Sequence, residues 1–186
     1  MVPSESTPRP PASATKDSAH GRFLEAVSRR TSDELNIVLV VDDEPDMRQL
    51  VVMDIKKTVP RVQIYEASNG REAFEQLAEI RADRGADPVL IVTDLNMPEM
   101  DGWEVIRRLE KEYKAHGQDQ GIPIIVLSST EGEKGHVFRQ SVHGDKAHYV
   151  PLVSVAKDSC VDPAKYDAIG QDGLLAWTRH FLRRDR

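Results

Sequence analysis

Residues 89–103, VLIVTDLNMPEMDGW, set an apolar run, an aspartate and a proline–glycine turn in immediate succession. PVLIVTD reads as a buried strand that stops abruptly at Asp94. An ionised carboxylate at the edge of a packed core is costly unless a cation, a hydrogen-bond donor or a reaction is waiting for it. Beyond it, MPEMDG reads as a tight turn, and Asp101 is placed to cap the following helix, DGWEVIRRLEKEYKA. That helix turns Val105, Ile106, Leu109 and Tyr113 inward.

The same alternation extends on both sides. NIVLVV reads as a buried strand, and EPDMRQLVVMDIKKT follows with Met47, Leu50, Val51 and Ile55 on one helical face. VQIYEA is a second strand, and NGREAFEQLAEIRA sets Ala73, Phe74, Leu77 and Ala78 on the inner face of the next helix. IPIIVLSS is a fourth strand and AHYVPLVSVA a fifth, with Pro151 favouring a sheet edge for the latter. Strands this apolar are covered on both faces, so the alternation predicts an α/β fold with a parallel sheet and right-handed crossovers.

Outside this alternation the chain changes character. Residues 1–20 are rich in Pro, Ser, Thr and Ala and predict a disordered tail. In 21–35, Phe23, Leu24 and Val27 lie at helical spacing and predict a short N-terminal helix or extension. The domain is expected over 36–186, with an atypical region at 131–170, and KDSCVDPAKYDAIGQDG, residues 157–173, reads as a loop longer than the usual connection. A final helix, LLAWTRHFLRR, sets Leu174, Trp177 and Phe181 on one face.

The 186 residues, 39% of them hydrophobic, suffice for one core. A net charge of −6 argues against a nucleic-acid binder, and the basic RHFLRRDR suits a helix C-terminus. One cysteine, Cys160, leaves no internal disulfide and fits a reducing compartment. No apolar run approaches the ~20 residues of a bilayer span. The sequence thus predicts a cytoplasmic protein without membrane insertion.

In an open parallel sheet, ligands and chemistry collect at the carboxyl ends of the strands. That edge receives Asp42 and Asp43 from VVDDE, Asp94 from VTD, and the hydroxyls of Ser128 and Ser129 from VLSS. Asp43 taken alone is explicable as a cap on the helix near Pro45. Three converging carboxylates are not explained by capping, because crowded acids raise one another's proton affinity unless a cation lies between them. Oxygen-only donors suit Mg²⁺ and argue against zinc.

VVDDEPDMRQL, VTDLNMPEMDGW and IPIIVLSS, in this order and spacing, resemble a response regulator receiver domain, of the chemotaxis-type single-domain kind. The likeness covers roughly residues 36–130. It implies a doubly wound (flavodoxin-like) five-stranded parallel sheet, order 2-1-3-4-5, with helices on both faces. It implies Asp94 as the phosphoacceptor, taking a phosphoryl group from a sensor histidine kinase or a histidine phosphotransfer protein. It further implies that Asp43 and Asp94 ligate Mg²⁺, with Asp42 acting through water and the Asn96 backbone carbonyl as another ligand. Ser128 takes the place of the switch hydroxyl.

The family also has a lysine at the end of the fifth strand. Counting from Ser128 at the usual spacing reaches Val150 and Pro151, so Lys157, Lys146 or a replacement by Val150 remain open, with Lys157 the preferred substitute. For the aromatic that couples phosphorylation to the output face, Tyr149 and His148 are the stand-ins. His136, His143, His148 and Cys160 match no zinc spacing. The function expected is that of a phosphoacceptor signalling to an unknown downstream protein target, not an enzyme of turnover. Two alternatives accompany it. One is a pseudo-receiver that signals without phosphorylation. The other is a haloacid dehalogenase-type phosphatase, which wants a second aspartate where Asn96 stands.

Overall fold

β1 (Ile37–Val41) is IVLVV, buried at every position, because it receives a strand on each side and a layer of side chains on each face. A computed structural model describes residues 36–128, 149, 152–162, 173–175, 178 and 182. Along the chain follow α1 (Pro45–Thr58), β2 (Gln63–Ala67), α2 (Gly70–Arg84), β3 (Leu90–Asp94), α3 (Gly102–Ala115), β4 (Ile124–Ser128), β5 (Leu152–Ala156) and a single turn, α4 (Asp158–Val161). All strand pairs are parallel and the order is β2-β1-β3-β4-β5, as the resemblance implied.

Strand alternation sorts the core into two layers. Val38, Val40, Leu90, Val92, Ile125, Leu127, Val153 and Val155 face one side, where Val51, Val52 and Ile55 of α1 cover them. Leu39, Val41, Ile91, Ile124, Val126 and Leu152 face the other, beneath Ala73 and Leu77 of α2 and Val105, Ile106 and Leu109 of α3. Helices therefore lie on both faces of the sheet. On α2 the inward stripe is Ala73, Leu77 and Ile80, whereas Ala78 is exposed. The i, i+4, i+7 phase of the helix decides this.

Local chemistry sets the helix starts. Asn69 Oδ1 accepts from the amides of Arg71 and Glu72, each at 2.9 Å, and Asp101 Oδ1 accepts from Glu104 N at 2.7 Å. The α1 cap is Glu44, with no side-chain cap bond and Pro45 in the first turn, so Asp43 is not spent on capping.

β5 takes the sheet edge, in keeping with the proline that precedes it. The loop expected at 157–173 contains one helical turn, α4, which packs against α1 and buries Ser159 and Cys160. Leu174 is buried as expected. The tail 1–20, the helix expected at 21–35, Lys146, His136, His143, His148, Val150, Trp177 and Phe181 lie outside the described residues.

Candidate functional site: an acidic pocket at the strand ends

Parallel pairing brings the ends of β1 and β3 side by side, with Val41 opposite Thr93, so the next residues, Asp42 and Asp94, emerge together. Asp42, Asp43 and Asp94 each offer a carboxylate oxygen, and these oxygens all lie within 4.8 Å of one another. Asp42 and Asp94 are buried and Asp43 half-buried. The donors are hard oxygens only, and among the described residues the buried Asp42 Oδ2 meets one cation, the Lys157 ammonium at 3.1 Å, without a well-directed hydrogen bond. A divalent cation of the Mg²⁺ type fits such a set.

Lys157 directly follows β5, and its ammonium enters this pocket. Nζ donates to Asp94 Oδ2 at 2.9 Å and forms ion pairs with Asp42 Oδ2 at 3.1 Å and Glu44 Oε1 at 3.2 Å. Burial disfavours this ammonium, but the Asp94 bond and the charges of Asp94 and Asp42 outweigh it and raise the lysine's pKa. For Asp42 the balance reverses: burial raises its pKa more than the Glu44 amide and Lys157 lower it. The register pairs Ser128 with Ala156, so Lys157 stands one step beyond the end of β4. Counting at the usual spacing stops at Val150 because the β4–β5 connection, residues 129–151, is long.

The rest of the pocket is held by backbone. Leu95 N donates to Asp94 Oδ1 at 2.6 Å, and Glu44 N donates to Asp42 Oδ1 at 2.9 Å. The turn after β3 leads into α3 with Asp101 as its cap, as expected. Its left-handed residue is Glu99, at φ 63°, while Gly102 is needed for space. A Cβ on Gly102 would sit 2.2 Å from the Asp94 carbonyl oxygen. The start of α3 thus lies directly against the Asp94 backbone, with Gly102 N donating to Leu95 O at 3.0 Å. Gly70 N reaches Met100 O at 2.9 Å and ties the start of α2 to the same turn. Asn96 is exposed, two residues past Asp94.

Ser128 ends β4 beside this edge, one position beyond the Asp94–Leu127 pair. Tyr149 lies elsewhere: its hydroxyl donates to Ile122 O at 2.7 Å, before the start of β4, and its ring is 6.4 Å from that of Tyr113. It is therefore at the opposite end of the sheet from the acids. Cys160 is fully buried, and burial pushes its thiol up to about 12, which makes it inert. Sequence reasoning missed Glu44, although it directly follows the acidic pair, and Arg48, whose part depends on a distant strand.

The sequence matches the response regulator receiver domain over residues 38–144. It is 38% identical over 104 residues to chemotaxis protein CheY1 of Helicobacter pylori, covering 54% of this chain and 73% of that one. It is 36% identical over 104 residues to a chemotaxis protein CheY homolog of Campylobacter jejuni, covering 54% and 69%. Among solved structures, the receiver domain of the histidine kinase CKI1 from Arabidopsis thaliana complexed with Mg²⁺ superposes with TM-score 0.51 at 26% identity, covering 72% of this chain and 91% of that one. The phosphorylated cyanobacterial phytochrome response regulator RcpA shares the fold with TM-score 0.55 at 18% identity, covering 82% and 97%. None of these comparisons favours the dehalogenase-type alternative. With the sheet order, the acidic pocket and a match over more than half its length, the chain belongs to the response regulator receiver domain family.

Proposed function

We propose that this is a cytoplasmic phosphoacceptor of two-component signal transduction, which takes a phosphoryl group on Asp94 from a sensor histidine kinase or a histidine phosphotransfer protein. It then signals by binding a protein target or passes the group onward. The carrying observation is the ammonium of Lys157 held 2.9 Å from Asp94 Oδ2 within the acidic set. Asp42, Asp43, Asp94 and the Asn96 backbone carbonyl are the residues to hold Mg²⁺. Bound there, Mg²⁺ supplies charge neutralisation for the phosphoryl oxygens.

Phosphoryl transfer asks for in-line positioning and charge compensation more than for covalent work by the protein. An Asp94 carboxylate oxygen attacks phosphorus as the P–N bond of the donor phosphohistidine breaks. The electron pair stays on the imidazole nitrogen, which takes up a proton. Lys157 then pairs with a phosphoryl oxygen, and Ser128 is the hydroxyl to bond another. A dianion that gains partners on β4 and β5 is able to bias a two-state surface. This is stoichiometric labelling, not turnover. The net charge of −6 supports a protein partner and argues against nucleic acid.

Incubation with acetyl phosphate, read by intact mass, tests this. The expected result is the mass of one phosphoryl group, dependent on Mg²⁺ and absent from Asp94→Asn. No label together with no Mg²⁺ binding would overturn it in favour of an interaction module that works without phosphorylation.

A further inference from the structure

Asp42 is held on almost every polar atom it has. Its N–H donates to Ala67 O of β2 at 3.1 Å, and its Oδ1 accepts from Glu44 N at 2.9 Å. Its carbonyl oxygen accepts from Arg48 Nη1 at 2.6 Å. Only Oδ2 is left toward the pocket, at 3.1 Å from Lys157 Nζ. Arg48 is itself anchored: Nε pairs with Glu66 Oε2 of β2 at 3.2 Å, and the same oxygen accepts from Gln49 Nε2 at 2.8 Å. The Arg48 side chain is 18% exposed and that of Glu66 36%, so the clamp is shielded from water at the Asp42 carbonyl and open to it at the Glu66 carboxylate.

We propose that Arg48, anchored by Glu66 on the edge strand, is a positioning residue that holds the β1–α1 turn so that Asp42 and Asp43 converge on Asp94 before any cation arrives. The inference rests on the cation-binding reading of the acidic pocket given above.

Three carboxylates whose oxygens lie within 4.8 Å repel one another; the Lys157 ammonium offsets this at Asp42 and Asp94, and Arg48 ties the turn that carries Asp42 and Asp43 by its backbone. The guanidinium suits this task because its planar fork serves two acceptors at once, the Asp42 carbonyl and the Glu66 carboxylate. A lysine at position 48 keeps the charge but presents a single point of contact. Glu66 comes from the strand whose next residue, Ala67, takes the Asp42 amide, so both peptide groups of Asp42 are referred to β2.

The sign of the effect separates positioning from electrostatics. Arg48 is a cation near an acidic cluster, so by charge alone its removal tightens binding of Mg²⁺. If it positions the ligands, removal weakens binding instead. The experiment is calorimetric titration of MgCl₂ into the full chain carrying Arg48→Ala, Arg48→Lys, Glu66→Ala or Arg48→Ala with Glu66→Ala. It is paired with amide hydrogen exchange of Asp42 and Glu44 in metal-free protein. The expected dissociation constant rises about tenfold in Arg48→Ala and about threefold in Arg48→Lys, with no further rise when Glu66→Ala is added to Arg48→Ala, because Glu66 acts through the arginine. The Asp42 and Glu44 amides should exchange about tenfold faster, while those of β3 follow only the change in global stability.

A dissociation constant unchanged or lowered in folded Arg48→Ala would overturn the proposal, as would additive effects of the two substitutions. If Arg48→Ala does not fold, Arg48→Lys and Glu66→Ala carry the same comparison. If the unsubstituted chain binds no Mg²⁺, the pocket reading fails, yet the exchange measurement still decides: unchanged protection of Asp42 and Glu44 in Arg48→Lys rejects the clamp.

Discussion

At Gly102 one hydrogen atom separates a formed pocket from a distorted one. An alanine methyl there would meet backbone, the Asp94 carbonyl at 2.2 Å and Leu95 Cα at 2.9 Å, neither of which rotates away as a side chain does. Gly102→Ala is expected to cost about 1–3 kcal/mol in urea unfolding, as overpacking does, and to weaken Mg²⁺ binding because Asp94 must shift. Lys157 poses the opposite case, a charge whose removal leaves space. Its ammonium lies against Asp42, Asp94 and Glu44, so it competes with any cation for the same oxygens. Lys157→Met is expected to bind Mg²⁺ about fivefold more tightly, as loss of roughly 1 kcal/mol of like-charge repulsion dictates, while its phosphoryl uptake from acetyl phosphate falls. Equal or weaker Mg²⁺ binding in a titration of that variant would contradict this account of the ammonium.

At the scale of the element, α1 carries a feature its hydrophobic spacing conceals. Asp54 lies on the buried face beside Val51, Val52 and Ile55, only 3% exposed. Among the described residues its Oδ2 has no hydrogen-bond donor, and Lys57 Nζ is 3.5 Å from Oδ1. Burial raises the pKa of Asp54 more than Lys57 lowers it. A carboxyl whose folded pKa lies above its unfolded value binds its proton more tightly in the fold. It therefore destabilises increasingly as pH rises through the unfolded value, with the full penalty above the folded one. Asp54→Asn should gain about 1 kcal/mol at pH 7, and the gain should vanish on acidification to below about pH 4. Urea melts at the two pH values check this; a gain independent of pH would mean that the ionised carboxylate is not its source.

Across the whole molecule, the pocket joins residues from β1, β3 and the end of β5, so anything that binds there binds the folded chain alone. Mg²⁺ at about 100 times its dissociation constant should then stabilise the domain by about 2.7 kcal/mol by mass action. Thermal melts with and without MgCl₂ measure this, and the shift should be lost in Asp43→Asn.

The sequence by itself determined the alternation of strands and helices, the parallel sheet and the identity of the acidic pair and Asp94. These follow from period, apolar runs and strand ends, which are local properties of the chain. It left the lysine open among Lys157, Lys146 and a replacement by Val150, because linear counting assumes a connection of ordinary length. Only the pairing of β5 with β4, Ser128 opposite Ala156, brings the Lys157 ammonium into the pocket. The clamp from Arg48 to Glu66 and the burial of Asp54 were likewise out of reach. Each depends on which side chain a neighbouring element presents, and that is set when the sheet closes on its helices rather than by the order of residues.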